Sequence, residues 1–275
     1  MTTASSDASS TLPSGRAKKA PRVDGIRFRA GAILLRILLL VAVVAAWQIA
    51  VSTGAVNSLT LPTPWQALKA MSQVRDGEFW KDLSNTGLVV LAAFGIGGAA
   101  GLAAGIAFWR LPALGDAVEP FLVTLYATPT LVFYPVLIVL LGLNLWPLIL
   151  IASVMVFMPI ALNTMIGLRS LSPVLPRLAR SLGSPGPVAF RKILLPGALP
   201  IVISGARVAF LYATMGTIAM EMVVASAGLG YRIGYDYSNF RTQEMYGLVL
   251  VVAVLATGLN WILTRVEKSM RRDLA

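Results

Sequence analysis

Arg207 and Glu221 are the side chains of this sequence best placed to do chemistry. Both lie in one apolar run, where an ionisable group is costly enough that a function is the default reading. They stand 14 positions apart, about 21 Å at helical rise, so one straight helix cannot pair them with each other. Arg207, some two turns into the run, can snorkel, meet backbone carbonyls or face a substrate. Glu221, near the far end, can brace the glycine turn at Gly228 and Gly230, or act as the proton or cation site of an ion-coupled carrier. Other chemistry is scarce. The chain has no Cys and no His, which removes thiolate and imidazole metal sites, Cys nucleophiles and the commonest general base. Without clustered carboxylates either, an intramembrane enzyme is set aside. Gly228, Leu229 and Gly230 are not a phosphate loop, because no Lys follows in the Walker pattern and no Gly-Lys pair occurs anywhere. The chain is therefore expected to bind no cofactor itself.

A second group of residues could line a path. Pro129, Pro135 and Pro159 free backbone carbonyls inside apolar runs, and such breaks often border a cavity. Tyr126, Thr128, Thr130 and Tyr134 place hydroxyls around the first two. Together with Pro129 and Arg207 they form the candidate translocation path. The plainer alternative is helix kinking against neighbours.

The elements that must position these residues follow from composition. Of 275 residues 57% are hydrophobic and 13% charged, with a mean hydropathy of +0.77, which excludes a soluble globule. At about 20 residues per spanning helix, the expected fold is all-α and polytopic, with six transmembrane helices. They are predicted at 31–51, 85–109, 119–142, 144–167, 198–224 and 246–265. Residues 1–30, rich in Ser, Thr, Ala and Pro with six basic residues, read as a disordered basic tail. The apolar run that follows is too long for a signal peptide. Gly97, Gly101 and Gly105 make a small-residue stripe suited to close helix packing.

With the N-terminus inside, 17 of the 23 Lys and Arg fall on that side and five in the outer loops. That bias predicts both termini in the cytoplasm. The net charge of +11 thus reports orientation, not a nucleic-acid partner.

The longest inner connection, 168–197, carries five basic residues and no acid. Ser172 and Pro173 are predicted to start a short helix to Leu182, stopped by Gly183. Pro187 is predicted to start a second helix through Ile193, with Leu195 and Pro196 marking entry to the next span. Two short helices make a protrusion suited to docking a cytosolic partner. Here the sequence resembles the permease subunits of bacterial ATP-binding-cassette importers. Their loop before the penultimate span reads Glu-Ala-Ala, three residues, Gly, nine residues, then Ile, any residue, Leu and Pro. This chain has Arg177, Leu178 and Ala179, then Gly183, Ile193, Leu195 and Pro196 in that register over 20 residues. It departs at Arg177 and Leu178, so a carboxylate contact to the ATPase is replaced by a cation able to meet an acidic patch. LPTPWQALKAM at 61–71, YATPTLVFYP at 126–135 and IAMEMVVASAGLGYRIG at 218–234 resemble the nitrate, sulfonate and taurine branch.

The resemblance covers about 35–270 and implies a MetI-like type I importer permease fold over 31–270, in the bacterial inner membrane. The coupling loop would include Arg177, Ala179, Gly183, Phe190, Ile193, Leu195 and Pro196, and the outer gate Glu221, Gly228 and Gly230. Implied partners are a second permease, most simply another copy, two cytosolic ATPase subunits carrying ATP and Mg, a periplasmic or lipid-anchored solute-binding protein, and membrane lipid. The implied solute is a small anion such as a sulfonate, taurine or nitrate, with a thiamine-precursor-like or other small aromatic solute as the alternative.

Overall fold

The computed structural model describes residues 25–273, apart from 58, 59, 75, 129 and 185. All regular elements among the described residues are helical. The chain divides into two compact units between Ile49 and Ala50. The first carries all but the last three residues of α1 (Gly25–Ser52), of which Leu34–Ser52 is long and apolar enough to cross a membrane. The helix begins at Gly25, so its first turns occupy the end of the stretch expected to be tail.

The second unit holds the rest. Thr63 opens α2 (Pro64–Gln73) with a capping box: its hydroxyl accepts from the Gln66 N–H, and the Gln66 side chain accepts from the Thr63 N–H. Asp76 caps α3 (Gly77–Arg110) by accepting from the Phe79 N–H at 2.8 Å. The third expected span is not one straight helix. It divides into α4 (Pro112–Ala127), a 3-10 turn over Thr130–Phe133 and α5 (Tyr134–Leu141), bent by 84°. The cause is local. Proline disfavours helical geometry at the residue before it, and Thr128 is extended with φ −81° and ψ 135°. With this bent pair taken as one crossing, the helices able to span a membrane number six among the described residues, and otherwise five.

α6 (Trp146–Arg169) lies at the centre, packed on α3 and on α9 (Leu195–Val224). The glycine stripe makes the α3–α6 approach: a Cβ at Gly101 would stand 2.8 Å from the Phe157 carbonyl, and one at Gly105 would stand 2.6 Å from that of Ala161. Gly97 meets Ser153 in the same way. The stripe thus packs within the subunit. At the far end of α9 lies α10 (Leu229–Ser238), and α11 (Thr242–Asp273) packs on α2, α9 and α10.

Between α6 and α9 stand α7 (Val174–Ser181) and the four-residue α8 (Gly186–Ala189). The predicted second helix does not end at Ile193. α8 runs through a wide π turn over Phe190–Leu194 directly into α9, so 186–224 is one helical run of 39 residues, about 58 Å by rise. Pro196 explains the widening. A proline crowds the carbonyl four residues before it, and opening the turn at Phe190, where the Leu195 N–H bonds, relieves that crowding.

Candidate functional site

At one end of the bundle the chain reverses through α7 and α8. Gly183 takes φ +59°, which favours glycine, and closes α7 with two bonds: its own N–H donates to the Arg180 carbonyl at 3.0 Å, and the Ser184 N–H donates to that of Ala179 at 3.3 Å. Ser172 contributes only a long 3.4 Å bond from the Val174 N–H, so the helix start is weaker than the sequence suggested. Ala179 is buried, whereas Arg177, Leu178, Arg180 and Leu182 are exposed. Phe190 ties the protrusion to the end of α3: its ring lies 5.7 Å from that of Trp109, and the Arg110 guanidinium sits over it at 5.4 Å. Ile193, Leu195 and Pro196 are half-buried at the root. The result is a braced knob whose free surface is basic and apolar.

The opposite end holds a clamp. Glu221, 2% exposed, accepts through Oε2 from the Thr86 hydroxyl at 2.8 Å and from the Gly230 N–H at 3.0 Å. The Thr86 hydroxyl in turn accepts from the Leu229 N–H at 2.9 Å, and Asp82 accepts from the Gly228 N–H at 3.0 Å. Three successive amides at the start of α10 are therefore capped by side chains of α3 and α9. A negative charge at a helix N-terminus is also favoured by the helix dipole. Gly230 allows the close approach, because a Cβ there would fall on the Ile218 carbonyl. Gly228, at φ +111°, has the Glu221 carboxylate where its Cβ would be.

Arg232, one turn on, donates to both oxygens of Asp76, with Asp82 3.9 Å away. This pairing holds the Asp76 carboxyl down to about 2 and raises the Arg232 guanidinium further above its already high value. The sequence pointed to Glu221, Gly228 and Gly230, and the structure brings them together. It gave no sign of Asp82 and Thr86, whose only signal is the four-residue spacing that puts them on one face of α3.

The candidate path residues are less united. Tyr134 is buried in the subunit's own core among Val89, Ala93 and Leu148, and Thr130 is also buried. Thr128 is exposed and donates to the Thr124 carbonyl. Pro129 and the Tyr126 side chain lie outside the described residues. Arg207 points to α11, donating to Asn260 Oδ1 at 3.0 Å and Glu267 Oε2 at 3.2 Å, rather than to backbone carbonyls.

Residues 93–272 match the family model described as binding-protein-dependent transport system inner membrane component. The taurine transport system permease of Escherichia coli (strain K12) is 24% identical over 82% of this chain and 84% of its own length. The putative aliphatic sulfonates transport permease of the same organism is 32% identical, covering 78% and 82%. Among solved structures, an inward-facing form of the MetNI methionine transporter aligns with a TM-score of 0.61 and 20% identity over 70% of this chain and 96% of that one.

Proposed function

The chain belongs to the family of binding-protein-dependent transport system inner membrane components and is the permease of an ABC importer; from that premise we propose that the knob at 170–197 is its dock for a cytosolic ATPase. The observation that carries this is the single helical run from Gly186 to Val224, which joins the knob to the clamp at Glu221 without a break. Two such knobs, one from each copy of a homodimer, are drawn together as two ATP-bound ATPase subunits close. Each helical run then carries the movement to the opposite, outer end.

Arg177, Arg180, Arg191 and Lys192 give the knob a basic surface with no acid between 170 and 197, which suits an acidic rim on the ATPase groove. Ala179, Gly183 and Phe190 set its shape. The clamp of Glu221, Gly228 and Gly230 serves as outer gate, and the exposed Thr128 is the path residue best placed to meet solute. ATP and Mg belong to the ATPase, and both termini of this chain lie in the cytoplasm of a bacterial inner-membrane protein.

The solute is a small organic anion, a sulfonate or taurine, delivered by a solute-binding protein. The names of the two relatives support this class. In reconstituted vesicles, uptake should require the ATPase and hydrolysable ATP. Accumulation by the isolated chain under a proton or sodium gradient would overturn the reading, and would make Glu221 an ion-coupling site instead.

A further inference from the structure

A cavity of about 790 Å³ opens at the clamp end, between α2, the start of α3, α10 and the start of α11. Among the described residues its walls carry five carboxylates, Asp76, Glu78, Asp82, Asp236 and Glu244, against three cations, Lys81, Arg232 and Arg241. The charges are not all satisfied by one another. Arg232 is engaged by Asp76, with Asp82 at 3.9 Å, and Arg241 lies over the Tyr235 ring at 5.9 Å.

Asp236 is the exception that matters. It is only 4% exposed, and what remains of its surface faces this cavity. Among the described residues its carboxylate has no hydrogen bond and no ion pair within 4.0 Å. A buried carboxylate without a direct partner is costly, and burial pushes its carboxyl above the usual range, with Glu244 adding to the shift and Arg232 and Arg241, beyond ion-pair distance, opposing it. The dock and the clamp make no use of it. Beside it on α10, Tyr231 and Tyr235 turn ring surface to the same space, with centroids 6.2 Å apart.

We propose that this cavity is a binding site for a single organic cation, a primary ammonium or guanidinium, held by Asp236 and Glu244 beside the ring of Tyr231. A carboxylate with no direct partner, a second carboxylate close by and an aromatic ring are what such a head group requires. Its one positive charge offsets half of the excess of two negative charges among the described wall residues. The cation comes either from a lysine or arginine of a protein docked at this face or from the ammonium of a zwitterionic solute. The site does not depend on ATP coupling.

The test uses the full chain in lipid nanodiscs with two matched probes, N-acetyl-lysine methylamide and its counterpart carrying a methyl in place of the ammonium, N-acetyl-2-aminoheptanoic acid methylamide, read by tyrosine fluorescence. The lysine probe should bind at least about 10-fold more tightly than the uncharged one, the scale of one charge-assisted hydrogen bond. Asp236→Asn should erase that difference without lowering thermal stability, since it removes an unpaired buried charge; Glu244→Gln should reduce it in part. Taurine then separates the sources. Displacement of the lysine probe by taurine assigns the site to solute, and failure to displace assigns it to a protein side chain. Equal binding of the two probes, or a charge preference that survives Asp236→Asn, would overturn the proposal and leave the importer reading untouched.

Discussion

Thr86 acts in both directions, giving its hydroxyl proton to Glu221 and taking the Leu229 N–H. Thr86→Val keeps the shape and removes both bonds. We predict a loss of about 1–3 kcal/mol, seen as faster amide exchange at Leu229 and Gly230; unchanged protection there would contradict the clamp. At Gly183 a Cβ would meet nothing, so only the backbone conformation selects glycine. Asn tolerates that conformation and β-branched residues do not. Gly183→Asn should therefore keep ATPase copurification and Gly183→Val should lose it, while both variants insert in the membrane. Equal copurification of the two would count against the dock. Asp76 supplies a pH dependence. Its carboxyl is held at about 2, below the usual 3.8, so the stabilisation from pairing with Arg232 is complete above about pH 4 and fades as pH falls toward 2. Arg232→Gln should flatten that acid limb in a stability scan. Glu221 was legible in the sequence because an acid inside an apolar run calls for a partner. Thr86 was not, since 135 positions separate it from Glu221 and nothing local marks a threonine on a helix as a relay.

At the scale of elements, the six apolar runs were legible from hydropathy alone, and each corresponds to a helix or helix pair. What hydropathy does not carry is shape. The bend between α4 and α5 follows from the residue before Pro129 leaving helical geometry, a local rule that gives the place of the break but not its 84°. The π turn before Pro196 was misread as a boundary, because proline after a short helix also signals a helix start; only the geometry of 190–195 separates the two. The glycine stripe was read correctly as packing, and it yields a paired prediction. Gly105→Ala would press a methyl onto the Ala161 carbonyl and Thr164, at a cost of about 1–3 kcal/mol. Gly95→Ala, on the same helix with nothing within 4 Å, should be close to neutral. Thermal unfolding in detergent compares them, and equal effects would mean that α3 and α6 do not meet along this stripe.

At the scale of the whole molecule, the basic bias predicts which end faces inward. A reporter fused after Ala275 should read cytoplasmic and one near Asp76 periplasmic; a periplasmic signal from the C-terminal fusion would reverse the assignment of dock and gate. The two ends share one helical run, and this restricts how the chain can vary in length. Each residue inserted between the π turn and Glu221 would rotate the far end by about 100° and lengthen it by about 1.5 Å. One extra alanine near Phe210 would thus turn Glu221 away from Thr86 and Gly230 while leaving the knob intact. Seven would return it nearly to its original facing, but about 10 Å too far along. The run therefore behaves like a keyed shaft, tolerant of substitution on its open faces and intolerant of any change in the number of residues along it.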